Sequence, residues 1–173
     1  MLKVSELKTT PSLELFSELV ELLQDAVAGG ASLGWTAVPD TEEARDYWSE
    51  VLAAVGRGER TLLVATDNHV CAGAVQLSRS GPPNGRHRGT VQKLMVHSGY
   101  QRRGVGRALM AALEQAARAH GLTLLVLDVI CGAPAEQLYR RAGWQLVGTV
   151  PGYALSTRGS LEPTAFYYRE LGA

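Results

Sequence analysis

Apolar positions recur along this chain with a period that changes, and the changes mark its elements. Leu13, Phe16, Val20, Leu23 and Val27 fall at helical spacing. Thr10-Pro11 reads as the start of that helix, with proline at its first position, and Gly29-Gly30 as its end. Ahead of it, residues 3–8 read as a first strand, and residues 29–35 form a loop behind it. Asp40 with Glu43 three residues later resembles a capping box, and Ala44, Tyr47, Val51 and Ala54 give a second helix its buried stripe. The pattern then turns strand-like over residues 60–66 and 71–77, a hairpin joined at Asp67-Asn68. Breakers make residues 81–85 a loop, and residues 90–96 form the next strand. From Val105, the set Leu109, Ala112, Leu113 and Ala116 predicts a helix ending near Gly121. Residues 122–129 are almost all apolar, which predicts a strand buried on both faces. Residues 134–142 form a short helix stopped by Gly143, and residues 144–150 and 165–171 complete the sheet. The order is mixed α/β, with strand–helix–strand units in the second half.

Composition narrows the class. A chain of 173 residues predicts a single domain over 1–173 with a sizeable core. Apolar residues at 46% and charged residues at 20% are ordinary for a soluble globular protein. No run approaches the roughly 18 apolar residues that a membrane span requires. Met1-Leu2-Lys3-Val4-Ser5-Glu6 has no signal-peptide core, so a cytoplasmic location is expected. Cys71 and Cys131 are too few for a disulfide framework and read as small buried residues. His69, His87 and His120 lack metal-ligand spacing, so no metal site is expected.

Charge sums to zero but is unevenly placed. Residues 1–60 carry eleven acids and five bases, whereas residues 68–113 carry seven bases and no acid. Solvated faces account for this, or else a basic site for a polyanionic cofactor lies beside an acidic site for a cationic substrate.

The basic stretch contains Gln101-Arg102-Arg103-Gly104-Val105-Gly106-Arg107-Ala108, between a strand and a long helix. Glycines there let backbone N–H groups approach a ligand, and the helix start adds unpaired donors and partial positive charge. Three arginines add full charges. The set suits a pyrophosphate. A dinucleotide fingerprint needs glycine or alanine three residues after Gly106, where Leu109 stands, although Asp128 ends the next strand as a ribose-binding acid would. A P-loop needs Gly-Lys-Ser/Thr, which is missing. A purely structural glycine turn explains the glycines but not Gln101, Arg102, Arg103 and Arg107.

From Leu94-Met95-Val96 through Gly104-Val105-Gly106, the stretch resembles the signature of the GNAT superfamily of N-acetyltransferases. There a strand with Leu-x-Val precedes Gln/Arg-x-x-Gly-x-Gly/Ala and a helix. Ala135, Leu138, Tyr139 and Gly143-Trp144 resemble a second block of that family, in the right order. The likeness covers roughly residues 60–150. Gly29-Gly30-Ala31-Ser32, residues 91–96, Leu127-Asp128, Pro151-Gly152-Tyr153 and Pro163-Thr164-Ala165 further resemble the tabtoxin-resistance-type acetyltransferases. The chain departs from the family at Gly132 (usually Asn), Ser98 (commonly Pro) and Thr90 (often acidic, a candidate general base).

The resemblance implies a GNAT fold: a mixed, mostly antiparallel sheet, splayed at the cofactor site and flanked by helices. It implies acetyl-CoA as co-substrate, its pyrophosphate on Gln101, Arg102, Arg103, Gly104, Val105, Gly106, Arg107 and Ala108, its pantetheine along Leu94, Met95 and Val96. A backbone N–H near Leu94 would polarise the thioester carbonyl. Tyr139 becomes the general acid for the departing thiolate, although spacing alone makes it a half-buried packing aromatic. Asp128 binds the substrate ammonium or relays its proton, or else caps a helix or pairs with an arginine. His97 is an alternative base, or a surface histidine. Trp35, Trp48, Tyr153 and Tyr167 line a pocket or belong to the core. No cysteine–histidine signature supports a covalent acetyl-cysteine route. The resemblance implies as acceptor a small-molecule primary amine, such as a toxin or antibiotic-like amino acid, attacked in a ternary complex, with no nucleic-acid or membrane partner and a homodimer left open. The competing readings are a protein or peptide N-acetyltransferase and a non-catalytic acyl-CoA-binding domain.

Overall fold

The computed structural model describes residues 1–79 and 81–172. Its strands are β1 (Leu2–Glu6), β2 (Arg60–Asp67), β3 (Val70–Arg79), β4 (Arg88–Val96), β5 (Leu124–Ile130), β6 (Gln145–Leu155) and β7 (Leu161–Glu170). Its helices are α1 (Leu13–Ala28), α2 (Thr41–Gly56), α3 (Val105–Ala119) and α4 (Pro134–Arg141). Among the described residues the seven strands form one sheet in the order β1-β2-β3-β4-β5-β7-β6. Only the β4–β5 pair is parallel, so the sheet is mixed and mostly antiparallel, as expected.

Local chemistry sets the boundaries. The helix expected to begin at Pro11 begins at Leu13, because the Ser12 side chain accepts from the Leu15 N–H and takes the cap position. At α2 the expected capping box is present: the Glu43 N–H donates to Asp40 at 2.9 Å and the Asp40 N–H to Glu43 at 3.0 Å. The β2–β3 turn falls one residue later than expected, on Asn68-His69. Both have positive φ, 49° and 72°, as the tightest hairpin turns require.

Alternation along the strands feeds two cores. Leu62, Val64, Ala74 and Met95 pack against α1 and α2. Leu63, Val75, Leu77, Leu125, Leu127 and Tyr167 pack beneath α3 and Tyr139 of α4. Burying such side chains is worth about 1.5–3 kcal/mol each, which is why the period-two pattern decides the faces. Among the described residues, the main sheet contacts of α1 and α2 are with β2, β3 and β4.

That limit corrects the expectation for residues 122–129. In β5, Leu125 and Leu127 are buried, but Leu124 and Val126 are half-buried and Asp128 is exposed. Leu125 and Leu127 face the α3-side core, and among the described residues the main sheet contacts of α1 and α2 end at β4, which leaves the other face of β5 largely open. The last two strands are also longer than expected. β6 runs on through Pro151-Gly152-Tyr153, where its register against β7 shifts between Val150 and Ala154. Trp48 and Tyr167 are core residues and Tyr153 is 56% exposed, so the four aromatics do not line one pocket.

Candidate active site

The chain leaves β4 at Val96, makes a tight turn at Ser98–Tyr100 and reaches α3 through Gln101 to Gly104. Arg102 and Gly104 are left-handed, with φ 60° and 82°. The first helical bond runs from the Ala108 N–H to the Gly104 carbonyl, 3.0 Å, and no side chain caps α3. Among the described residues, nothing in the chain accepts from the N–H groups of residues 102–107. Alternating left- and right-handed backbone with free donors forms an anion-binding concavity. The two glycines serve different ends. Gly104 supplies a conformation that side chains rarely adopt. A Cβ on Gly106 would lie 3.2 Å from Leu138, so this glycine lets α3 approach α4.

The preceding turn is tied to α1. Ser98 donates its N–H and its hydroxyl to the two oxygens of Asp25, both at 2.7 Å. Sequence reading marked Ser98 as a departure but missed Asp25, 73 positions away with no local signal. Arg103 lies 5.7 Å over the Tyr100 ring. His97 accepts from the Gly99 N–H at 3.1 Å, a local structural role.

The β4 strand is bulged. Gln76 pairs with Gln92 and Ala74 with Met95, so β4 takes three steps where β3 takes two, and Lys93 carries the kink with φ 54°. β4 and β5 pair only at Arg88–Leu124, Gly89–Leu125 and Thr90–Val126, although the strands continue to Val96 and Ile130. Beyond Thr90 they part. The edge of Leu94, Met95 and Val96 that faces β5 is left without ladder partners there. Met95 is buried, while Leu94 and Val96 are half-buried against the α3-side core.

Tyr139 and Asp128 stand near this opening, from opposite layers. Tyr139 is 5% exposed, more deeply set than a half-buried aromatic, with its ring 5.9 Å from Trp144. Burial first, then the charge of Asp128, pushes its phenol well above the usual tyrosine range, so the hydroxyl keeps its proton at neutral pH. Asp128 lies on the uncovered face of β5. Among the described residues it has no cation within 4 Å and caps no helix, contrary to the structural alternatives for it. Cys71 is buried, which pushes its thiol up to about 12 and keeps it from serving as a nucleophile.

The other wall carries a cluster that sequence reading did not assemble. Lys93 donates to the Leu33 carbonyl and sits 5.3 Å over the Trp35 ring. Trp35 meets Tyr47 edge-on at 4.9 Å. Gln76, fully buried, donates to the Tyr47 hydroxyl and accepts from Arg60, both at 2.8 Å. The signal was a lysine inside an apolar strand. Five of the eleven acids in the first sixty residues have local structural partners: Glu18 accepts from the Cys71 N–H, Asp25 holds Ser98, Asp40 and Glu43 cap α2, and Glu59 pairs with Arg57.

The family profile described as Acetyltransferase (GNAT) family matches residues 18–144. The chain belongs to the GNAT family. Over 114 residues it is 35% identical to an uncharacterised N-acetyltransferase in the hisH–hisA intergenic region of Azospirillum brasilense, covering 65% of this chain and 66% of that one. Over 89 residues it is 42% identical to the mycothiol acetyltransferase of Kineococcus radiotolerans, covering 51% and 28%. The matched parts are thus less than two thirds of those relatives' lengths. A Salmonella typhimurium protein solved with its cofactor acetyl-CoA superimposes with a TM-score of 0.80 at 19% identity, over 99% of this chain and 94% of that one. The Escherichia coli ribosomal-protein-S18-alanine N-acetyltransferase gives 0.75 at 19%, over 100% and 96%. These structural likenesses establish a GNAT fold, a seven-stranded mixed sheet with four flanking helices. No helix among the described residues is long and apolar enough to cross a membrane.

Proposed function

We propose that this GNAT protein transfers the acetyl group of acetyl-CoA to a primary amine of a small molecule, by direct attack of the amine in a ternary complex. One observation carries the reading. The free N–H groups of residues 102–107 run on into the unpaired edge of β4, and that opening lies between Tyr139 and Asp128. The donor set fits a pyrophosphate followed by an extended amide chain: backbone N–H groups and Arg103 and Arg107 for the phosphates, the edge of Leu94, Met95 and Val96 for the amides. When bound, acetyl-CoA supplies an activated thioester.

The chain's own residues account for the rest. A backbone N–H at the bulge near Leu94 donates toward the developing oxyanion, a task that needs no side chain. The Tyr139 hydroxyl holds a proton for the leaving sulfur, and its burial keeps that proton in place. Asp128 orients the acceptor ammonium or takes its proton to water, since attack requires a neutral nitrogen. The likeness to tabtoxin-resistance-type enzymes supports a small acceptor. The ribosomal-protein-alanine acetyltransferases among the structural neighbours make a peptide acceptor the competing outcome.

The purified protein is to be offered acetyl-CoA with small primary amines, amino-acid analogues and a peptide mixture, and the products read by mass spectrometry. Acetylated small amines are expected. Acetylation confined to peptides would overturn the acceptor class, and binding of acetyl-CoA without transfer to any amine would make the protein a non-catalytic acyl-CoA binder.

A further inference from the structure

α4 carries Tyr139, yet little apolar surface fixes this short helix. Of its eight side chains only Glu136 and Tyr139 are buried, with Ala135 and Leu138 half-buried. No side chain caps its start at Ala133. A helix this short does not sustain itself, so its orientation comes from the contacts it makes. Glu136 makes the polar ones. Among the described residues it is the only buried carboxylate. One of its oxygens accepts from the Gly132 N–H at 2.7 Å. The other accepts from the Tyr167 hydroxyl at 2.7 Å and from Arg140 at 2.8 Å. Arg140 also donates to the Tyr167 hydroxyl at 2.8 Å, which closes a ring of three side chains. The ring and the Gly132 bond join the turn after β5, the first and last turns of α4, and β7. A buried carboxylate is costly unless its oxygens are filled, and hydrogen bonds to a charged group are the strong ones. The Tyr167 hydroxyl first, then the Gly132 N–H, hold the Glu136 carboxyl below the usual carboxylate range although burial opposes them, so it stays ionised at neutral pH.

We propose that Glu136 is a positioning residue for the transfer: through Gly132, Tyr167 and Arg140 it sets the orientation of α4 that aims the Tyr139 hydroxyl at the leaving sulfur. This deepens the transferase reading and rests on the place of Tyr139 in it. Glu136 and Tyr139 stand three positions apart, on one face of α4, so a shift of the first turn is a shift of the hydroxyl. The donors offered to the cofactor belong to other elements, residues 102–107 and the edge of β4, so binding of acetyl-CoA does not depend on Glu136. Glutamine is the informative replacement, because it keeps the size and turns one oxygen into a donor. With its oxygen toward Tyr167 and Arg140, its amide NH2 meets the Gly132 N–H, donor against donor. Turned the other way, the NH2 faces the Arg140 donor.

The test is a double-mutant cycle with Tyr139→Phe, run with acetyl-CoA and the best-acetylated acceptor of the panel above. Glu136→Gln is expected to lower kcat about tenfold, with acetyl-CoA affinity, read by calorimetry, within about twofold of the parent. In the Tyr139→Phe background the same change should cost less than about twofold, because the hydroxyl it positions is gone. Tyr167→Phe keeps the ring in the core and removes one donor. It is expected to lower kcat about fivefold, again only where the Tyr139 hydroxyl is present, and it carries the test if Glu136→Gln does not fold. An equal loss of kcat in both backgrounds would make the network purely structural and overturn the proposal. So would parental kcat in Glu136→Gln, or in Tyr167→Phe where the glutamine variant does not fold. Parental kcat in Tyr139→Phe itself would remove Tyr139 as the acid, and this proposal with it, while leaving the transferase reading intact. Acetyl-CoA bound but no acceptor of any kind acetylated would remove the transferase reading as well.

Discussion

Around the opening between β4 and β5, the α3 side offers main-chain donors, whereas the α2 side offers side chains from several separate elements. The donors of residues 102–107 exist because Arg102 and Gly104 are left-handed and because α3 begins without a cap. Their identity matters less than their conformation. On the α2 side the charges of Lys93, Arg60 and Asp128 come from β4, β2 and β5, and only the sheet brings them to one face. A ligand shared by many proteins can be held by backbone. A ligand that must be distinguished from others requires side chains, because specificity is a difference between affinities.

Substitutions at four positions would break or sharpen this comparison. The largest effect is expected at Tyr139, the proposed general acid. Tyr139→Phe keeps the ring in the core and is expected to lower kcat by about 10²-fold with acetyl-CoA affinity unchanged. Steady-state kinetics and calorimetry check it, and wild-type turnover would reduce Tyr139 to packing.

Next is Gly104, the test of the backbone side. Gly104→Asp forces an unfavourable φ and places negative charge beside the phosphates, so acetyl-CoA affinity should fall by at least about 10-fold, roughly 1.4 kcal/mol. A Cβ there meets nothing within 4 Å, so Gly104→Ala tests conformation without a clash and should cost less than Gly104→Asp. Equal affinity in both folded variants, measured by calorimetry, would detach this loop from the cofactor.

On the acceptor side, Asp128→Asn preserves size and removes the charge. Turnover at neutral pH should fall several-fold to about tenfold and the pH profile of kcat/KM should change. Removing that charge also takes away a cause of the raised Tyr139 phenol and a support for the Lys93 ammonium, so both pKa values should move down. If only thermal stability changed, with activity per folded molecule intact, Asp128 would have no role in the reaction.

The smallest expected effect crosses between the two regions. Asp25→Ala leaves the Ser98 turn unanchored from α1. Two exposed hydrogen bonds of this kind contribute about 1 kcal/mol together, so acetyl-CoA should bind about fivefold more weakly while KM for the acceptor stays constant. An equal loss on both substrates would instead indicate a general loosening of α1.

Legibility followed the same division. Residues 101–108 stood out because a glycine pair, a helix start and clustered arginines are neighbours in sequence, and Leu138-Tyr139 only because they match a block of the family the chain resembles. The cap of α1, the β2–β3 turn and the length of β6 were displaced from their expected positions. Each was settled by which side chain or backbone group found a partner, such as the Ser12 hydroxyl on the Leu15 N–H. Residues 122–129 misled for a stronger reason. An apolar run reports that its side chains avoid water, but not whether a second layer exists to cover both faces.

By itself the sequence determined the alternation that sorts residues into two cores, the capping box of α2, and the glycine-rich junction that exposes backbone donors. These are set within a few residues, by sterics and local hydrogen bonds. Only the tertiary structure decided that α1 and α2 stop over β4, that Asp128 consequently faces open space, and that Asp25 reaches Ser98. It also decided that Lys93, carried on a bulge, meets Trp35 from the loop after α1 and feels Arg60 from β2. Those relations join positions 33 to 73 residues apart, and they depend on strand order and register, which no local pattern encodes.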